Sequence, residues 1–287
     1  MESGTLETRL GPLAWQSSGH GPALVFFAGA LANHDLWRDA IARLEDRYRC
    51  ITIDLPLGAH PQPLTDGADR SATSLARLLL DCLELLDVDG ATVATNDTAG
   101  GLLLLSLGTG HPALGRVSRL VLTNCESYDQ FPPDSLKKAS AMSRALPGFA
   151  TAMMRLQLRM QLRWPAARRR FSASVTAKGL DDELAESFFG PGVRDPRVAG
   201  DLVAAMAGFR PQLLLDAATV IPEFGRPVLL VWGEECQFFP MAHARRLASD
   251  FPHARLVPVP GAKTWVPVDN PAALADAITE FVPAQVA

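Results

Sequence analysis

Short, wholly apolar runs alternate with amphipathic or small-residue stretches along this chain. Ala23-Leu24-Val25-Phe26-Phe27, Cys50-Ile51-Thr52-Ile53, Ala91 to Ala94, Arg119-Leu120-Val121-Leu122-Thr123 and Pro227 to Trp232 read as strands of a covered sheet, and Arg255 to Pro258 begins the last strand. Unbroken apolarity over so few residues is what a sheet covered on both faces demands. Leu10 to Gln16 reads as a first, antiparallel strand. Helices are predicted over Leu36–Asp46, Ser71–Leu86, Leu102–Leu107 and Pro271–Phe281, with Ser71 or Ser74 as a cap. Strands alternating with helices in this way predict an α/β fold with a doubly wound, mostly parallel sheet.

Between residues 131 and 223 no comparable strand appears, and Pro132, Pro133, Pro147, Pro165, Pro191 and Pro196 punctuate the stretch. Met154 to Trp164 alternates apolar and polar residues, a strand period. Its Met, Leu, Arg and Gln content favours helix, which is the reading adopted. The chain therefore divides into a core, 1–130 and 224–287, and a helical insertion, 131–223. Arg155, Arg159, Arg163 and Arg168 to Arg170 make the insertion basic and are read as a solvated surface.

Composition narrows the classes. The chain has 287 residues, 48% hydrophobic, enough for one large α/β core. A net charge of −4 gives no reason to expect nucleic acid or an anionic membrane as partner. Cys50, Cys82, Cys125 and Cys236 have neither metal-ligand spacing nor the density of a disulfide framework. The N-terminus carries Glu2 and Glu7 and no signal-like apolar run. The expectation is a cytoplasmic protein with no cofactor and no metal, a small apolar substrate as partner, and homodimerisation as an open possibility.

The stretch with chemistry is Val93-Ala94-Thr95-Asn96-Asp97-Thr98-Ala99-Gly100-Gly101. A strand running directly into small residues and then a helix resembles the nucleophile elbow of the α/β-hydrolases. Leu86-Asp87-Val88-Asp89-Gly90 resembles the lead-in to that strand and puts Asp97 at the apex. Counting back from Gly100-Gly101 would put Thr98 there; Asp97 is preferred. The resemblance to the haloalkane dehalogenase and epoxide hydrolase branch implies an α/β-hydrolase fold with a helical cap after the sixth strand. It also implies a carboxylate that attacks saturated carbon.

Other segments extend the resemblance. Gly29-Ala30-Leu31-Ala32-Asn33-His34-Asp35-Leu36-Trp37-Arg38 is similar to the oxyanion loop, which implies backbone donation from Ala30 and Thr98. In the dehalogenases an Asn stands at the place of Ala30 and a Trp at that of Thr98, both for halide. Gly233-Glu234-Glu235-Cys236-Gln237-Phe238-Phe239-Pro240 resembles the loop of the catalytic acid, with Cys236 where the acid belongs, four residues before Pro240. The catalytic His belongs seven residues before Pro271, where Thr264 stands between Lys263 and Trp265. Glu126 follows a strand after which some dehalogenases carry an acid, and Tyr128 is the candidate for protonating an epoxide oxygen.

The catalytic candidates are thus Asp97, Thr98, Ala30, Glu126 and Tyr128. The pocket candidates are Leu31, His34, His60, Trp164, Cys236, Phe238, Lys263, Thr264 and Trp265. Three functions fit: an enzyme opening an epoxide or lactone, eliminating or cyclising, through Asp97 and without a triad His; a silent ligand-binding protein; or an epoxide hydrolase with relocated acid and base.

Overall fold

A computed structural model describes residues 1–283. Eight strands form one sheet: β1 (Glu2–Thr8), β2 (Gly11–Ser18), β3 (Ala23–Phe27), β4 (Arg49–Ile53), β5 (Ala91–Asp97), β6 (Val117–Cys125), β7 (Val228–Gly233) and β8 (Ala254–Val259). Their order is β1-β2-β4-β3-β5-β6-β7-β8. β1 and β2 pair antiparallel, as do β2 and β4, and every other pairing is parallel. The four central runs are buried on both faces, as their continuous apolarity demands.

β1 escaped the sequence reading because it is a polar edge strand. Only Leu6 of its seven residues is buried, opposite Leu13. The helix expected over Leu36–Asp46 is shorter. A 3₁₀ turn, His34–Trp37, leads into the single-turn helix α1 (Arg38–Ile41). The chain then closes with tight bonds from Arg43 N–H to the Ala40 carbonyl and from Leu44 N–H to the Ile41 carbonyl. Such i→i+3 bonding unwinds the helix as the chain turns into β4.

α2 (Ala72–Leu85) is capped by the Ser71 hydroxyl, which accepts from the Ser74 N–H at 3.2 Å. α3 (Thr98–Leu107) is buried all round. Between β6 and β7 lie six helices: α4 (Lys137–Ala145), α5 (Pro147–Arg163), α6 (Pro165–Val175), α7 (Asp182–Arg194), α8 (Pro196–Gly208) and α9 (Pro211–Ala218). Four of them begin on proline, whose missing N–H costs nothing in a first turn. Of the prolines that punctuate the sequence, Pro147, Pro165 and Pro196 are helix starts, whereas Pro191 lies inside α7. α10 (Met241–Asp250), the short α11 (Val266–Asp269) and α12 (Pro271–Phe281) complete the chain. Among the described residues no single helix is long and apolar enough to cross a membrane.

Buried polar contacts fix the insertion over the carboxyl ends of the strands. Asp201 on α8 accepts from Arg70 Nε at 2.5 Å, from the Leu64 N–H at 2.9 Å and from His60 Nε2 at 3.0 Å. Ser187 on α7 accepts from Asn33 Nδ2 at 3.0 Å, and Asp269 accepts from the Thr176 hydroxyl at 2.5 Å.

Candidate functional site

The backbone of Asp97 has φ 55° and ψ −132°, a conformation that costs a non-glycine residue on the order of 1–3 kcal/mol. Asp97 is thus the apex of the turn, and Thr98 begins α3. Strand and helix nearly touch behind it. A Cβ on Gly100 would lie 2.3 Å from Cβ of Cys125, and one on Gly101 2.9 Å from Cβ of Glu126. A Cβ on Gly29 would meet Cβ of Asp97 at 2.6 Å and the Asn96 carbonyl oxygen at 2.7 Å. The 29–31 loop can approach the elbow only because position 29 has no side chain.

That approach aims backbone N–H groups at the Asp97 carboxyl. Burial pushes the Asp97 carboxyl up to about 7; the Thr98 N–H, the neighbouring Thr98 hydroxyl and the Ala30 N–H work against the rise. Behind it Glu126 is buried, and its Oε1 accepts from the Thr98 hydroxyl at 2.9 Å. Its Oε2 has no partner among the described residues. Burial raises the Glu126 carboxyl well above its usual range, and the charge of Asp97 adds to this. Two carboxyl groups therefore stand on either side of one hydroxyl. A Thr hydroxyl has a single proton, so donation to Glu126 leaves only its lone pairs for Asp97.

Asp97 opens into a cavity of about 170 Å³ between core and insertion. The core contributes Ala30, Leu31, Phe238, Phe239, Thr264 and Trp265. The insertion contributes Met154, Gln157, Phe171, Val175, Leu202 and Met206. Among the described residues lining it, Asp97 is the sole ionisable side chain. Thr264 Oγ1 lies 3.2 Å from Cys236 Sγ, so the two residues contact each other. Burial raises the Cys236 thiol, which also accepts from the Phe239 N–H at 3.4 Å. Asn96, which the sequence did not single out, joins the elbow to this loop: its Nδ2 donates to the Thr264 carbonyl at 2.7 Å and to Thr123 Oγ1 at 2.9 Å.

Five candidates stand elsewhere. Nδ1 of His34 faces Asp54 at 3.0 Å, beside a groove on the far side of the oxyanion loop. His60 is buried, with Nε2 on Asp201 and Nδ1 accepting from the Gly58 N–H at 3.3 Å, and it braces the insertion. The Tyr128 hydroxyl donates to Asp250 at 2.8 Å, with Arg246 stacked 3.8 Å over the ring, so it points away from the cavity. Trp164 is exposed at the junction of α5 and α6. Lys263 Nζ donates to the Ala173 carbonyl at 2.5 Å. In each case a nearer polar partner, or solvent, claims the side chain. The insertion residues that do line the cavity went unseen because period alone does not say which helix face looks down.

Asp81, Glu84 and His111 are the one cluster of metal-ligand types among the described residues. His111 Nδ1 accepts from the Ala113 N–H at 3.1 Å, so Nε2 carries the ring proton and donates to Asp81 at 2.8 Å. Arg9 donates to the second Asp81 oxygen at 2.8 Å. Both Asp81 oxygens are thus taken by Arg9 and His111, and Glu84 is exposed.

The sequence pattern of the family described as "alpha/beta hydrolase fold" matches residues 22–271. The chain belongs to that family. It is similar to haloalkane dehalogenase 2 of Mycobacterium tuberculosis strain H37Rv, 27% identical over 284 residues, covering 97% of this chain and 94% of the relative. Among solved structures, an α/β hydrolase fold protein from Burkholderia ambifaria superposes with a TM-score of 0.79 at 22% identity, covering 96% and 97% of the two chains. The haloalkane dehalogenase DbeA from Bradyrhizobium elkani gives a TM-score of 0.74 at 17% identity, covering 98% and 97%. At those identities the structural likeness speaks for the hydrolase fold alone.

Proposed function

We propose that this protein is an enzyme acting on a small apolar molecule, with Asp97 as a proton donor and acceptor and without the ester-hydrolysing His of its family. The observation that carries this reading is that, among the described residues, Asp97 is the one ionisable group lining an apolar cavity; the expected placement of Thr264 and Cys236 at the partner positions supports it. A carboxyl pushed up to about 7 is part protonated near neutral pH, the condition for general acid–base work. A strained C–O ring, such as an epoxide or lactone, suits it. The Asp97 O–H donates its proton to the ring oxygen as the C–O bond breaks and the electron pair goes to oxygen. The resulting carboxylate, held by the N–H groups of Ala30 and Thr98, removes a proton from the neighbouring carbon, whose C–H electrons form a C=C bond. Asp97 ends as it began, and no water is consumed.

The test is incubation with small apolar epoxides and lactones. The expected product is an unsaturated isomer of unchanged mass, lost in Asp97→Asn. A stable ester on Asp97, seen as added intact mass, would instead make the carboxylate a nucleophile. Hydrolytic dehalogenation is not supported, because Ala30 and Thr98 stand where those relatives bind halide. A relocated epoxide hydrolase lacks its acid, because Tyr128 is committed to Asp250.

A second reading, ligand binding without turnover, is favoured by the same Cys236–Thr264 contact, which offers no base. Metabolite capture followed by mass spectrometry separates the two: unchanged ligand after long incubation supports binding, and an isomer supports the enzyme.

A further inference from the structure

The net charge of −4 conceals an uneven distribution. From Ser135 to Leu180 the chain has ten Lys and Arg residues and no Asp or Glu. Lys137 pairs with Asp134 and Arg168 with Asp182, both outside that stretch. Arg159, Arg163, Arg169 and Arg170 are exposed, with no ion pair among the described residues.

The same segment carries the exposed apolar surface. Of the ten large hydrophobic side chains exposed among the described residues, seven lie between 136 and 164. Phe149, Met153, Leu156 and Met160 recur at three- and four-residue spacing along α5, which places them in one stripe. They are 39% to 55% exposed. The opposite face of α5, with Ala150 and Leu158, is the buried one. α5 therefore has two apolar faces, and only one is covered. A lone exposed Leu means little; a continuous stripe marks an interaction surface.

The stripe also stands over the way into the Asp97 cavity. The apolar groove holding Met153, Leu156 and Met160 shares Ala139, Met154, Gln157 and Met206 with that cavity. A second groove, where Arg170 borders Met160, shares Gln157 and Phe171 with it.

We propose that the α4–α6 face docks the protein on an anionic bilayer. Phe149, Met153, Leu156 and Met160 enter the acyl boundary, and Arg159, Arg163, Arg169 and Arg170 meet headgroup phosphates. A basic polar flank beside an aromatic and aliphatic stripe is the pattern of a helix lying in the membrane interface. Charge decides against a second copy of this chain, since two such faces would bring cations against cations with no acid between them. Docking would open the grooves towards lipid, so that an apolar molecule dissolved there reaches Asp97 without crossing water. Only that last step rests on the function proposed above.

The test is flotation of the full chain with phosphatidylcholine vesicles, with and without phosphatidylglycerol. Binding to the anionic vesicles alone is expected, weakening as salt rises. Arg159→Gln and Arg163→Gln should each lower partitioning by about fivefold. Phe149→Ser with Leu156→Ser should lower it further while leaving the circular dichroism unchanged, since both side chains are exposed. Asp97→Asn should bind as the unmodified chain does, so failure at the reaction centre and failure of docking are separable. Absence of binding to anionic vesicles, or equal binding to both kinds, overturns the proposal. So does a solution dimer that Leu156→Ser dissociates without any change in vesicle binding.

Discussion

Sγ of Cys236 and Oγ1 of Thr264 lie 3.2 Å apart, twenty-eight residues distant in sequence. Neither side chain can take a proton from water at neutral pH; Thr264 lines the cavity and Cys236 is its hydrogen-bonded neighbour. Thr264→Val removes that bond and leaves an apolar surface of similar shape. The expected loss is about 1 kcal/mol, read as a melting temperature lower by about 2–4 °C. Turnover or ligand affinity should change by less than a few-fold, because the proposed reacting group is Asp97. Loss of activity in a folded Thr264→Val protein would assign the hydroxyl a direct part in the chemistry.

Asp97 predicts an unusual dependence of stability on pH. Its folded value is raised, from 3.8 to about 7, so the folded state holds the proton more tightly than the unfolded one. Stability contributed by the protonated form is complete below pH 3.8 and is lost as pH rises through 7. Asp97→Asn should therefore stabilise the protein at pH 8, by about 2 kcal/mol, and do little at pH 4. Denaturant titrations of both proteins at the two pH values check this. Equal effects at both would mean that Asp97 titrates as an exposed carboxyl.

Asp201 has the opposite sign. Burial raises it, but hydrogen bonds from His60, the Leu64 N–H and Arg70 outweigh that and hold it below its ordinary 3.8. Its contribution is present above 3.8 and disappears as pH falls through the lower, folded value. Asp201→Ala leaves His60 and Arg70 facing each other without an anion, and should destabilise by about 3–5 kcal/mol at pH 7. Hydrogen exchange should rise first in α8 and in the 58–64 loop. Uniform exchange across the chain would contradict an anchoring role.

Gly29→Ala forces a methyl to within 2.6 Å of Cβ of Asp97. The oxyanion loop must retreat, at a cost of about 1–3 kcal/mol, and the Ala30 N–H leaves the carboxyl. Gly115→Ala is the control, since a Cβ there meets nothing within 4 Å, and its effect should stay within about 0.5 kcal/mol. Thermal melts rank the two. An unperturbed Gly29→Ala would mean that the loop is free to move.

The order and period of apolar runs determined the architecture. β3 to β7 were legible because strands buried on both faces must be apolar throughout; β8, a partly exposed edge strand, falls where Arg255 to Pro258 predicted a last strand, and α12 emerged with the predicted bounds, Pro271–Phe281. The elbow was legible too, since few sequences bring a strand onto small residues and a helix so abruptly. β1 was hidden because an edge strand facing water carries no such signature.

Only tertiary structure decided which side chains share the cavity. His60 and Tyr128 follow the correct strands, yet Asp201 and Asp250 claim them, across 141 and 122 residues of sequence. Cys236 and Thr264 meet each other, and Met154, Phe171 and Met206 descend from helices whose facing was open. A period of apolar residues says that a face is buried and not what it is buried against. The charge segregation from Ser135 to Leu180 was present in the sequence from the start. Its meaning came only when α5 showed which of its two apolar faces the fold leaves in water.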